Sequence, residues 1–174
     1  MIENRKDYRL PFRTKIIFGN NERVSTGNAT NISAGGVFVM TLEPFPSETR
    51  CQAIFVLDPE KSPLCVDAVV KRVVASSVNL EEMPGLGLNF VKMSEESVNQ
   101  LATFMTDNRK NFELASTLLQ SGEPDLASLE PLLDRMHLPH YSDFGELKFF
   151  VERILKSMEI VDRANSQNNR QVAE

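Results

Sequence analysis

The segment Asn31–Met40, NISAGGVFVM, joins a polar, glycine-containing stretch directly to an apolar run. Short polar residues and glycines are typical of turns, and Val-Phe-Val runs are typical of strands. The segment therefore predicts a β-strand that begins at Gly36, immediately after a turn. Four further short apolar runs lie on either side of it: Phe12–Phe18, Ala53–Leu57, Leu64–Val74 and Leu86–Phe90.

These runs alternate apolar and polar side chains, as half-buried strands do. In the first run Phe12 and Ile16 fall on one face, and Arg13 falls on the other. Turn-forming residues separate the runs, and no helical pattern lies between them. We therefore expect five or six antiparallel strands in a sandwich or a small barrel.

From Ser94 onward the apolar residues follow the period of a helix instead. Ser94 is a candidate N-cap, a shorter helix is expected over Leu126–Met136, and a last helix is expected to begin at residue 142 or 143. We expect the chain to fray after Arg163, where the apolar period ends. The predicted organisation is a β domain over residues 1–105 and an α-helical extension over residues 106–174.

The last helix carries an apolar stripe with spacings of three and four residues. Two alternatives stay open for this stripe. It packs within the chain, or it forms a surface for a partner protein or for a homodimer through the C-terminal helices. About two and a half heptads are fewer than a coiled coil requires. The stripe consists of Phe144, Leu147, Val151, Ile154, Met158 and Val161.

The charge distribution limits the partners that the chain can bind. The 174 residues carry 19 basic and 24 acidic side chains, a net charge of −5, and most of the excess lies beyond residue 105. Binding to long DNA or RNA normally needs a broad basic face, which this composition does not favour. The local basic segment at residues 5–15 is compatible with a small anionic ligand.

The sequence also bears on the compartment. No apolar run approaches the roughly 18 residues that a membrane span needs, and residues 1–10 lack the apolar stretch of a secretory signal. Cys51 and Cys65 lie in or beside apolar strands, where buried thiols are usual, and nothing demands a disulfide. We expect a cytoplasmic protein.

Two short motifs carry the chemistry of the β half. Arg5 and Arg9 are four residues apart, and Asn31 and Ser33 share one side of an extended segment. Guanidinium groups bind phosphate oxygens or the O6 and N7 atoms of guanine, and their planar faces stack on bases. Gly36 and its neighbour allow a ligand to approach the main chain.

Together these motifs resemble the PilZ domain family, the bacterial receptors for cyclic di-GMP. The family pattern is Arg-x-x-x-Arg near the start, followed by Asp/Asn-x-Ser-x-x-Gly. Gly85–Phe90 also resembles the last barrel strand of these domains. The resemblance covers roughly residues 4–105, and it implies a six-stranded antiparallel β-barrel with a flanking helix.

The resemblance also implies roles for individual residues. Arg5 and Arg9 would clasp the phosphates and guanine edges of cyclic di-GMP, and Lys6 would assist where many members carry arginine. Asn31 and Ser33 would hydrogen-bond a guanine. Gly36, with Gly35 secondary, would keep the turn open to the ligand.

The implied function is that of an effector or adaptor rather than an enzyme. Cyclic di-GMP would change the conformation of the chain, and an unidentified protein partner would detect the change, with motility, biofilm or a related process as the output. The alternatives are a PilZ-like interaction module, for example one related to type IV pili, with weak or no nucleotide binding, and a barrel that binds nucleic acid. A metal site at His137 and His140 is disfavoured because Pro139 disturbs their alignment and no further ligand completes a site. We expect no cofactor.

Overall fold

The computed structural model describes residues 7–43, 45–75, 83–121, 125–139, 141 and 143–171. The strands in this part of the chain are β1 Leu10–Gly19, β2 Val24–Ser33, β3 Gly36–Met40, β4 Arg50–Phe55, β5 Leu64–Val74 and β6 Gly85–Met93. The helices are α1 Glu95–Gln120, α2 Leu126–Arg135 and α3 Phe144–Gln171.

The six strands close into a barrel with the order β1-β2-β3-β6-β5-β4. Strands β3 and β6 pair antiparallel, as do β4 and β5, and β1 and β4 close the ring. The expected six-stranded antiparallel barrel with a flanking helix is therefore confirmed. Strand β2 has no apolar run in the sequence because Ala29 and Ile32 are its only buried apolar side chains.

Aromatic side chains fill the barrel interior. Phe12 and Phe55 meet edge to face with their ring centroids 6.1 Å apart, and Phe55 stacks with Phe90 at the same distance. Phe104 of α1 closes on Phe12 with the centroids 5.4 Å apart. Because the interior is filled by side chains, any ligand of this barrel must bind on its outer surface.

The chain divides into two compact units. The barrel unit is Pro11–Phe104, and the helical unit comprises Met105–Glu174 together with Met1–Leu10, so far as these are described. Within the helical unit, Leu147, Val151 and Met158 of the apolar stripe are buried. The stripe therefore packs within the chain, and a homodimer through these helices stays a prediction.

The helices begin where side chains can cap them. The Ser94 hydroxyl accepts a hydrogen bond from the Ser97 amide at 3.1 Å, and the Asp143 carboxylate accepts one from the Gly145 amide at 2.6 Å. The expectation of fraying after Arg163 is wrong, because α3 continues to Gln171. Once a helix exists, each added residue gains a backbone hydrogen bond even without an apolar period. Over the described residues, no helix combines the length and hydropathy needed to cross a membrane.

Candidate site on the outer face of the barrel

The turn between β2 and β3 brings the second predicted motif together. Ser33 ends β2, Gly36 begins β3, and the Ser33 hydroxyl donates to the Gly36 carbonyl oxygen at 3.4 Å. The Gly35 carbonyl accepts a hydrogen bond from the Phe90 amide at 2.9 Å, which ties the turn to β6. The motif is thus fixed to three neighbouring strands rather than carried on a loose loop.

Asn31 lies two residues before Ser33 in β2, so the two share one face, and the buried Ile32 takes the other. The Asn31 side-chain amide donates to the Thr30 hydroxyl at 3.5 Å, which is a long contact. Asn31, Ser33, Gly35 and Gly36 are therefore gathered at one place on the barrel.

Strand register extends this place across the barrel in two rows. Ser33 opposes Gly36, which opposes Asn89. In the next outward-facing row Asn31 opposes Phe38, which opposes Gly87, and Gly87 opposes Arg72. We call these seven residues the outer platform: Asn31, Ser33, Gly36, Phe38, Gly87, Asn89 and Arg72.

The outer platform is shallow, and polar groups lie at its corners. Its middle is formed by two glycines and the half-buried Phe38, whereas Asn89 and Arg72 are exposed at the side away from β2. Adjacent strands are spaced by about 4.8 Å, so the row from Asn31 to Arg72 is about 14 Å long. None of the seven residues is acidic, and a surface of this kind can accept an anionic ligand with planar bases.

The glycines of the outer platform are required by close approach. A β-carbon at Gly36 would collide with the Leu88 carbonyl oxygen, and one at Gly87 would lie 3.0 Å from the Arg72 β-carbon. None of the described glycines has a positive φ. Gly36 therefore has a role in the pairing of β3 with β6 that does not depend on a ligand.

Two β-bulges flank the outer platform. In β2 the register shifts between Ala29 and Asn31, and in β5 it shifts between Val70 and Arg72. A bulge adds one residue to a strand and re-aims the side chain that follows it. Here the side chains that follow are Asn31 and Arg72, the two ends of one row.

The first predicted motif is described only in part. Arg5 and Lys6 lie outside the described residues, whereas Arg9 is exposed directly before β1. Tyr8 beside it is half-buried in the helical unit, and its hydroxyl donates to the Met105 carbonyl oxygen at 3.5 Å. Burial raises the pKa of Tyr8, and the nearby Arg109 guanidinium partly opposes that increase.

Arg109 connects the helices of this unit. Its guanidinium donates to Asp162 of α3 at 2.7 Å and to Glu113 of α1 at 3.1 Å, and these carboxylates raise the pKa of Arg109. Arg9 thus follows directly after Tyr8, and Tyr8 lies near Arg109, which joins α1 to α3.

A further groove of the barrel unit lies on another face. Its volume is about 640 Å³, and Ile17, Ile54 and Gln52 are among its lining residues, but none of the residues predicted from the two motifs lines it. A ligand of defined charge needs matching polar groups, and the motif residues Asn31 and Ser33 are of that kind.

The structure describes both thiols and one of the two histidines. Cys51 is buried, and burial raises the pKa of its thiol, whereas Cys65 is exposed, so the expectation of burial is wrong for Cys65. His137 has a left-handed φ of 55° at the end of α2, and His140 lies outside the described residues. Within the described ranges, no three His, Cys, Asp or Glu side chains cluster so that they could hold a metal ion.

Arg72 and Asn89 were not predicted as site residues. Alternation along β5 placed Lys71 on the polar face, and only the bulge brings Arg72 opposite Gly87. The Gly-x-Gly pattern of Gly85–Gly87 could have indicated this place in the sequence. Two glycines on one face of a strand indicate that another group approaches the backbone closely there.

Comparison with known families covers the part of the chain that carries both motifs. The family described as "PilZ domain" matches residues 3–107, which contain all the predicted site residues. No curated protein matches the chain.

Several solved structures resemble the chain. The inhibitor of motility MotI/DgrA of Bacillus subtilis is 21% identical with a TM-score of 0.54, over 63% of this chain and 53% of that one. The MrkH–c-di-GMP complex of K. pneumonia is 18% identical with a TM-score of 0.53, over 62% and 53%. The PilZ domain of YcgR from Escherichia coli with c-di-GMP is 16% identical with a TM-score of 0.51, over 65% and 98%. The chain spans about half the length of the first two structures, and at these identities the likeness shows the fold.

Proposed function

Because the chain belongs to the PilZ domain family, we propose that it is a receptor for cyclic di-GMP that acts as an effector or adaptor and catalyses no reaction. The observation that carries the proposal is the gathering of Asn31 and Gly36, both half-buried, with the buried Ser33 at one turn on the outer side of a filled barrel. The similar MrkH structure and the similar PilZ domain of YcgR were solved with c-di-GMP.

The ligand chemistry fits these side chains. Cyclic di-GMP carries two phosphates and two guanines, so it needs cationic donors for the phosphates and short polar groups for the base edges. In the proposed complex Arg5 and Arg9 bind the phosphates, with Lys6 adding positive charge. Asn31 and Ser33 hydrogen-bond one guanine.

The proposed signal starts at the arginine motif. Drawing Arg9 onto a ligand moves its neighbour Tyr8, whose hydroxyl contacts Met105 at the start of the helical unit. Arg109 lies beside Tyr8 and joins α1 to α3 through Asp162. A change at the ligand can therefore alter a helical surface that an unidentified protein partner recognises. The place of action we propose is the cytoplasm, which suits the two free thiols.

Isothermal titration calorimetry of the whole chain tests the proposal. Cyclic di-GMP should bind the wild type with one or two molecules per chain. The corresponding cyclic dinucleotide of adenine has the same charge and different base edges, and it should bind at least about tenfold more weakly.

The Arg9→Ala variant should bind about a hundredfold more weakly, because it loses charge-assisted hydrogen bonds worth about 2.7 kcal/mol. Arg163→Ala is the matched control, since Arg163 is an exposed arginine paired with Glu159 on α3. Absence of binding by the wild type would instead favour the interaction module without nucleotide binding. Equal affinity of Arg9→Ala and wild type would show that the arginine clasp is wrong.

A further inference from the structure

The groove that lies apart from the outer platform is lined by exposed apolar side chains. Ile17, Val24, Ile54 and Val91 are among its lining residues. Val91 is 63% exposed, Ile17 is 47% exposed and Ile54 is 41% exposed. Single exposed apolar side chains are ordinary, but several in one concave place mark a surface that binds another molecule. The groove therefore has the character of a docking site.

Strand register sets these apolar side chains next to each other. Ile17 of β1 opposes Ile54 of β4, and Ile54 opposes Cys65 of β5. Because adjacent strands are about 4.8 Å apart, this row is about 10 Å wide. Val91 reaches the groove from β6, where it is the extra residue of a bulge against β5. A bulge re-aims a side chain, and here it exposes an apolar one.

Cations lie at both ends of this apolar row. Lys15 is exposed on β1, two residues before Ile17 and on the same side of the strand. At the other end, Arg50 and Lys92 line the groove. By the register of β1 and β4, the levels of Lys15 and Arg50 are about six residues, or about 20 Å, apart.

These three cations give the groove its charge. Over the residues that the structure describes, none of the three forms an ion pair. Among the described lining residues Asp67 alone is acidic, and its carboxylate accepts a hydrogen bond from the Gln52 side chain at 3.1 Å. The surface is therefore positive on balance and is complementary to an acidic partner.

The shape of the groove limits the kind of occupant. The barrel is closed, so no strand edge is left for a partner strand to extend. An α-helix is about 10 Å wide, and about 13 residues of it span about 20 Å, which fits the row and its flanking cations. A second copy that met this face with its own would oppose Arg50 and Lys92 with like charges.

We propose that this groove is a docking site for an amphipathic α-helix of a partner protein, apolar along one face and acidic at both ends. The apolar face of the helix packs on Ile17, Ile54 and Val91, and its carboxylates pair with the flanking cations. The site lies apart from the outer platform, so the inference stands whether or not the chain binds cyclic di-GMP.

The probe for this site is a fluorescent synthetic peptide of about 14 residues, with leucines along one helical face, glutamates at both ends and alanines elsewhere. The control peptide has lysines in place of the glutamates. Fluorescence anisotropy with the whole chain should show that the glutamate peptide binds at least about tenfold more tightly. The bound glutamate peptide should also slow alkylation of the exposed Cys65, which lies beside Ile54, whereas Cys51 is buried.

Two variants place the peptide in the groove. Ile54→Glu should weaken binding of the glutamate peptide at least about tenfold, because it adds a like charge to the apolar row. Val98→Glu is the matched control, since Val98 is 45% exposed on α1 and is not among the lining residues. It should bind within about twofold of wild type. Lys92→Glu should reduce the preference for the glutamate peptide while leaving the apolar row intact.

Several results would overturn the inference. These are equal binding of the two peptides, equal binding by Ile54→Glu and wild type, and unchanged alkylation of Cys65. Sedimentation of the chain with phosphatidylserine vesicles, if Ile54→Glu abolished it, would assign the surface to a membrane. A dimer in analytical ultracentrifugation that Ile54→Glu dissociated would assign it to a second copy. Failure of the wild type to bind cyclic di-GMP would refute the proposed function alone.

Discussion

The barrel unit and the helical unit both bury apolar side chains, but they differ in what the opposite side presents. Strand alternation in the barrel leaves a complete outward face, on which Asn31, Gly36 and Arg72 share two rows. The helices bury Leu147 and its stripe, and several of their exposed charges pair with each other, as Lys110 does with Asp107. We therefore propose that the guanine contacts come from the barrel, whereas the helices supply packing and a surface for partners.

The largest expected effect separates stability from binding in the helical unit. Leu147 is 1% exposed, so Leu147→Ala should lower the free energy of unfolding by about 3 kcal/mol through the cavity it leaves. Cyclic di-GMP affinity should stay within about twofold of wild type at a temperature where the variant is folded. Urea unfolding and calorimetry measure the two quantities.

Phe149→Ala is the control on the same helix. Phe149 is 68% exposed, so its loss should change the free energy of unfolding by less than about 0.5 kcal/mol. A tenfold loss of affinity in Leu147→Ala would break the comparison, because the helices would then contribute to the ligand site.

The next effect concerns the glycine of the barrel motif. A β-carbon at Gly36 collides with the Leu88 carbonyl oxygen, so Gly36→Ala should lower the free energy of unfolding by about 2 kcal/mol even without ligand. Asn31→Ala should instead weaken cyclic di-GMP binding about tenfold and leave stability within about 0.5 kcal/mol. Chemical denaturation without ligand distinguishes the two variants. A Gly36→Ala variant as stable as wild type would contradict the expected collision with the Leu88 carbonyl oxygen.

The smallest effect concerns Tyr8, which precedes the barrel in the sequence but belongs to the helical unit. Burial favours the neutral phenol and raises the pKa of Tyr8 above its usual value of about 10. The stabilisation from this shift is therefore complete below pH 10 and is lost as the pH rises through the folded-state pKa.

Tyr8→Phe provides the reference for that prediction, since phenylalanine does not ionise. The difference in unfolding free energy between wild type and Tyr8→Phe should be constant up to about pH 10 and should decrease above it. If the unfolding free energies of wild type and Tyr8→Phe differ by a constant amount up to about pH 11, Tyr8 is solvated. It then does not connect the arginine segment to α1.

The sequence predicted the barrel because apolar alternation survives in five of its strands. It did not reveal β2 as a strand, because Val24–Ser33 is mostly polar and its register is set by pairing with β3. The Asn31, Ser33 and Gly36 pattern could be recognised because a turn keeps such residues close in sequence. Arg72 could not, since a bulge changes which residue faces outward and leaves no mark in the alternation.

The most direct test of the central claim is a ¹⁵N–¹H NMR titration of the whole chain with cyclic di-GMP. We expect the largest amide shifts at residues 31–38 and 87–89, together with Arg9 and Arg72. Shifts confined to the groove around Ile17 and Ile54, or to the helices, would contradict it.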